Sequence, residues 1–210
     1  MAVVSLSTFK EYLPELSGST GADTDLTNLL ARVESAVARY IGFPGWSGDS
    51  GSSNQTPVLD STTYTLYVDG PTHYDRYTLQ LPIAPIVSIT SIHSDANRQY
   101  LSSSLIDSST YTFNTELARV YLDPNTATQV FDDGYRSNKI VFVAGYTSVT
   151  APSDLVHAIC VWASQLHRNK ATQGKESITQ SNSTVRVSPK TMPPEIKQYI
   201  NYLRFPGVIL

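Results

Sequence analysis

Apolar side chains recur at helical spacing in four stretches of this chain, and a long block between them switches to period-two alternation. The most strongly marked helix spans Pro152 to Lys170, where Leu155, Ile159, Trp162 and Leu166 form one apolar stripe. Ala158, Cys160, Val161 and Ala163 widen that stripe, so the helix is expected to be contacted on more than one side. Ser153 is the expected N-cap behind Pro152, Asp154 complements the positive end of the helix dipole, and Arg168 and Lys170 complement the other. Burying the four large stripe residues contributes on the order of 6–12 kcal/mol before entropy costs. This is the core helix.

Upstream, Ser7 is positioned to cap a brief helix carrying Phe9, Tyr12, Leu13 and Leu16, which Pro14 breaks or kinks. After a Ser17–Gly21 turn, Asp23, Thr24 or Asp25 caps a longer helix with the stripe Leu26, Leu30, Val33, Val37 and Ile41. Gly42 and Pro44 end it. Residues 45–56 are low-complexity linker. Strands then follow at 64–68, 77–81 and 86–92. Residues 111–113 and 119–122 read as a hairpin across Asn114 to Ala118, and the apolar run Lys139 to Ala144 reads as a buried strand. The segment 172–190 is poor in large apolar residues and reads as an extended arm or hairpin, with Thr184 to Val187 able to pair. Pro193-Pro194-Glu195 opens a last helix with Ile196, Ile200 and Leu203 on one side, stopped by Phe205-Pro206-Gly207.

These elements predict an α+β fold: a small bundle of about four helices with an inserted antiparallel β domain and an extended arm before the last helix. Residues 1–56 and 145–210 make up the helical part, with the arm at 172–190 and a C-terminal tail. Residues 57–144 make up the insertion.

Composition agrees with a folded chain: 40% of residues are hydrophobic, 16% are charged, and there are 13 tyrosines. No apolar run reaches the length of a membrane span, and the N-terminus lacks the basic and apolar regions of a signal peptide. The single cysteine, Cys160, excludes an internal disulfide framework and reads as packing within the core helix. The net charge of −3 conceals an asymmetry. Residues 165–210 carry seven Lys/Arg against two acids, whereas residues 1–164 carry eight against sixteen. A basic end meeting an acidic partner is one reading, and an ordinary solvated surface is the other.

Catalytic motifs fail on inspection. Gly48-Asp49-Ser50-Gly51 matches the residues around a serine-protease nucleophile, but the first histidine of the chain is His73, after it rather than before. Asp123-Pro124-Asn125 begins like a calcium loop, yet Thr128 and Gly134 stand where Gly and Glu are needed. Both that stretch and Asp132-Asp133-Gly134 read as surface turns. His73, His93, His157 and His167 lack metal-ligand spacing, and there is no phosphate-binding glycine loop. No catalytic residue, cofactor or metal is expected. The dispersed basic residues of the last quarter do not suggest nucleic-acid readout.

The order of features carries a resemblance. It runs from Tyr40-Ile41-Gly42, through Leu81-Pro82-Ile83-Ala84-Pro85, to Ala144-Gly145-Tyr146 leading into Ala151-Pro152-Ser153-Asp154-Leu155. An arm containing Glu176-Ser177 follows, then Met192-Pro193-Pro194-Glu195-Ile196, then Tyr202-Leu203-Arg204-Phe205-Pro206. This resembles the head–tail connector (adaptor) proteins of tailed bacteriophages, over nearly the whole chain. The long β insertion departs from that pattern.

The resemblance implies a structural virion protein at the head–tail junction, assembled in the host bacterial cytoplasm. It implies a homo-oligomeric ring of about twelve subunits under the portal protein. Such a ring extends a channel through which genomic DNA passes without sequence-specific binding, and it meets a stopper or tail-completion protein. On this reading Arg204, Phe205, Pro206, Gly207, Val208, Ile209 and Leu210 dock on the portal, or Ile209 and Leu210 pack on their own helices. Lys175, Glu176, Arg186 and Lys190 mark an arm that contacts a neighbouring subunit or the neck. The competing expectation is a β-rich tail or baseplate module that binds carbohydrate or protein.

Overall fold

The computed structural model describes residues 3–43, 57–71, 75–170 and 192–204, together with the backbone of 177–180 and 183–186. The fold is α+β, with four α-helices, two three-stranded antiparallel sheets and a two-stranded hairpin among the described residues. The chain divides into two compact units, one from Met1–Ile41 and Thr147–Arg204 and the other containing Gly42–Tyr146.

The first unit is helical. Helix α1 (Leu6–Glu11) is capped by Ser5, not Ser7: Ser5 Oγ accepts the Thr8 N–H at 3.0 Å. Val4 and Phe9, the two positions of a hydrophobic staple around that cap, are both buried, which fixes the earlier start. A 3-10 turn at Pro14–Leu16 follows. Helix α2 (Asp23–Ile41) buries Leu26, Leu30, Val33, Val37 and Ile41 together with Ala38 and Glu34. Gly42, at φ +111°, then leaves the helix through the left-handed region that glycine tolerates.

Helix α3 (Ser153–Arg168) packs against α2 and against α4 (Pro194–Ile200). Ser153 is the first residue of α3 rather than its cap. Pro152 holds the cap position, with no side-chain hydrogen bond there. Proline suits that entry because its fixed φ is already close to helical and it has no N–H to leave unsatisfied. Leu155 and Ile159 are fully buried, Trp162 nearly so, and Leu166 is half-buried near the end of the helix. Strands β7 (Ser177–Gln180) and β8 (Ser183–Arg186) pair antiparallel within the segment expected to form an arm.

The second unit holds the two sheets. Strands β1 (Thr62–Val68), β3 (Ile86–Ser94) and β6 (Asn138–Ala144) form one, in the order β1-β6-β3. Strands β2 (Thr78–Gln80), β4 (Tyr111–Asn114) and β5 (Arg119–Leu122) form the other, in the order β2-β5-β4. The apolar run of β6 places it centrally, but it is buried on one face only. Asn138, Ile140, Phe142 and Ala144 face inward, while Lys139, Val141 and Val143 are half-exposed. Tyr64 on β1 stacks on its register partner Phe142, with ring centroids 5.8 Å apart.

Candidate assembly surfaces

Chemistry at a catalytic site needs clustered reactive groups, and several of the reactive groups among the described residues have structural partners. Burial pushes the Cys160 thiol up to about 12, with the acids Glu11 and Glu34 adding to the effect. A thiol so placed does not ionise near neutral pH. His157 Nδ1 lies 3.0 Å from the Tyr12 hydroxyl, and the ring meets Tyr199 edge-on at 5.5 Å. Among the described residues no group of three or more His, Cys, Asp and Glu is placed to hold a metal ion.

The acidic turns are also structural. Asp123 Oδ1 accepts from the Asn125 N–H at 2.9 Å, and that donor holds its carboxyl below the usual carboxylate range. Asp107 does the same at the Ser109 N–H. Asp132 pairs with Arg76 at 3.2 Å and accepts the Ala96 N–H at 3.1 Å, and its carbonyl accepts from the Ser137 hydroxyl and the Asn138 amide. The turn at 132–134 is therefore a tie between loops. No helix among the described residues is long and apolar enough to cross a membrane.

Exposed aromatic and apolar side chains are found in both units. In the helical unit, Ile196 and Ile200 point α4 inward, which leaves Tyr199 and then Tyr202 outward, 47% and 61% exposed. Tyr199 belongs to a small ring cluster with His157 and the half-buried Tyr12. Two exposed acids accompany it. Glu195 stands one helical turn before Tyr199. Asp154 is close enough to Tyr202 to help raise its hydroxyl pKa, after desolvation, the larger cause.

The basic C-terminal quarter is less open than its charge implies. Arg168 pairs with Glu15 and Lys170 with Asp25, each at 3.3 Å. Arg204 and Lys197 lie over the Tyr40 ring, 5.2 and 6.0 Å from its centroid. Four of the seven basic residues thus have partners within their own unit. Of the expected portal-docking residues, Arg204 is the one the structure describes. Phe205, Pro206, Gly207, Val208, Ile209 and Leu210 lie outside the described residues, as do Lys175, Glu176 and Lys190 of the arm. Arg186 lies on β8, described at the backbone.

In the β unit, the half-exposed face of the first sheet ends in a cluster that sequence reasoning missed. Tyr67, Lys139 and His93 are register neighbours across the three strands. Tyr100 leans over them, its ring 5.1 Å from that of Tyr67 and its hydroxyl donating to the Arg136 carbonyl. The Arg136 guanidinium sits 4.7 Å from the Tyr67 centroid, and the Lys139 ammonium lies 5.8 and 5.9 Å from the Tyr67 and Tyr100 centroids. Leu101, Leu105 and Tyr135 beside it are 57%, 46% and 68% exposed. The residues are far apart in sequence. It is the pairing of β1 with β6 that puts Tyr67 and Lys139 on one face.

No family model matches the sequence, and no curated protein matches it either. Solved structures do. A chain from the neck of an empty gene transfer agent particle, computed with C6 symmetry, aligns with TM-score 0.53 and 17% identity. The alignment covers 100% of this chain and 95% of that one. A chain from the virion of a native gene transfer agent particle aligns with TM-score 0.56 and 16% identity, covering 99% of this chain and 92% of that one. At such identities the likeness is one of fold, and it extends over nearly the full length of each chain, β unit included. In fold, then, this chain is similar to a component of the neck of a gene transfer agent particle.

Proposed function

We propose that the protein is a structural, non-enzymatic component of a phage-like virion neck, acting as a head–tail adaptor that forms a ring beneath the portal. The observation that carries this reading is the end-to-end fold likeness to a chain of a gene transfer agent neck. A partial match would have supported only a shared module. The symmetric neck of that particle supports a ring assembly for this chain as well.

The division of charge suits a channel. The β-containing unit, Gly42–Tyr146, carries ten acids against five bases, and like charge keeps a wall from gripping DNA that must slide past. Within this proposal Arg204–Leu210 docks on the portal protein, and the arm at 172–190, with Lys175, Glu176, Arg186 and Lys190, meets a neighbouring subunit or a stopper or tail-completion protein. Both segments follow α3 in the chain, and on this reading the β unit is an insertion into the helical one. Assembly takes place in the host cytoplasm and the product resides in the virion.

Removing Phe205–Leu210 from the chain in a particle-producing strain tests the docking. The expected result is DNA-filled or leaking heads without tails in electron micrographs of the lysate. Normal tailed particles in normal yield would overturn the docking role.

A further inference from the structure

Two exposed surfaces of this chain complement each other in both polarity and charge, and each lies within one compact unit. The first belongs to the β unit. Leu101 and Leu105 flank a 3-10 turn at Ser102–Ser104 and are more than two-fifths exposed. His93 ties this turn to the sheet, through Nδ1 near the Leu101 carbonyl at 3.2 Å and a bridge to Leu105. His93 is the register partner of Lys139. The leucines therefore border the place where the Lys139 ammonium lies against two tyrosine rings. Those rings hold the ammonium in position and supply partial negative charge, and no carboxylate pairs with it among the described residues. The surface thus combines exposed leucines with the Lys139 ammonium, and the Arg136 guanidinium lies over the neighbouring Tyr67 ring.

The second surface belongs to the helical unit. Tyr199 and Tyr202 stand outward with the carboxylates of Asp154 and Glu195 beside them, and neither acid has an ion-pair partner among the described residues. Lys197 and Arg204 are turned to the Tyr40 flank. This surface is aromatic and rigid, and it is anionic on the side that carries Tyr202. Tyrosine supplies large contact area at low entropic cost, which is why it recurs at the centre of interfaces.

We propose that these two surfaces meet between copies: the Leu101/Leu105/Lys139 surface of one copy receives the Tyr199/Tyr202/Asp154 surface of the next. The inference rests on the ring reading above and names the contact that builds the ring. Two different surfaces on each copy make the contact heterologous, and a heterologous contact that closes yields a ring rather than a dimer. Opposite charges at the rim set register and favour this pairing over either surface meeting its own kind.

Charge reversal tests it. Lys139→Glu sets a carboxylate against Asp154 of the next copy, and Asp154→Lys sets a second ammonium against Lys139. Each variant alone is expected to assemble at least tenfold more weakly than the natural protein by sedimentation velocity or native mass spectrometry. Mixed in equal amounts, they are expected to recover assembly. In alternating copies the two substituted positions then face each other with opposite charges, and the two natural ones do the same. Circular dichroism and the thermal midpoint monitor folding of each variant. If either fails to fold, Tyr202→Ser and Leu101→Ser, at exposed positions, take its place and are expected to weaken assembly without changing the midpoint. Rings of normal size in both charge variants would overturn this contact and leave the ring reading standing. A natural protein that stays monomeric, alone and with its portal, would overturn both.

Discussion

Gly145 shows how a single position constrains this chain. Its φ is +117°, and a Cβ added there would come within 2.5 Å of the Asp60 carbonyl oxygen. The strand leaving the β unit passes that close because the Tyr146 N–H donates to the Leu59 carbonyl and the Ser61 N–H to the Tyr146 carbonyl, both at 2.8 Å. Gly145→Ala must therefore strain the backbone and push two chains apart. The expected loss is about 2–4 kcal/mol, read from urea unfolding. A second residue-scale prediction concerns Cys160. Its thiol stays protonated in the folded state up to about pH 12, while the unfolded thiol ionises at about pH 8.5. Iodoacetamide at pH 8 is expected to leave the native protein unmodified and to label it once urea unfolds it. The linkage sign follows: the unfolded state releases this proton first, so the contribution is complete below about pH 8.5 and stability falls as pH rises from there towards about 12.

At the scale of elements, helices were more legible than sheets. The stripe of α2 could be read directly, since Leu26, Leu30, Val33, Val37 and Ile41 lie on one face whatever they pack against. Its caps and those of α1 and α3 were blurred by one or two residues, because Ser, Asp and Pro near a helix start compete for the cap and tertiary packing decides. The burial of both Val4 and Phe9 decided it at α1. Strand existence was legible from alternation on β1 and from an unbroken apolar run on β6. Strand order was not. That β6 lies between β1 and β3 depends on pairing residues far apart in the chain, and no local pattern encodes it. For α3 the burial gradient makes a prediction. Leu155→Ala and Ile159→Ala are expected to cost about 2–5 kcal/mol each, and Leu166→Ala distinctly less, in denaturant titrations. The exposed pairs Arg168–Glu15 and Lys170–Asp25 are screened by solvent, so Glu15→Gln and Asp25→Asn are expected to leave the denaturant midpoint almost unchanged.

At the scale of the whole molecule, charge and exposed aromatics point outward to assembly. Helical spacing alone would have left Tyr199 and Tyr202 looking like core positions, and it is their exposure on and after α4 that makes them candidates for contact. The Tyr67–Tyr100–Lys139 cluster was illegible in sequence because loops and two strands bring it together. The family resemblance, by contrast, was carried by short motifs in fixed order. Gly145 and Pro152 now have physical reasons to be where they are: a close backbone approach and a helix entry. Those motifs specify the joints of the fold, and the fold is the level at which a neck component is similar to this chain.

The central claim is that this chain works as a ring in a virion neck. Cryo-electron microscopy of the purified protein, alone and mixed with the portal from the same particle, tests it most directly. The account predicts closed rings, or rings seated on the portal. Dispersed monomers at micromolar concentration in both samples, with no density added to the portal, would contradict it.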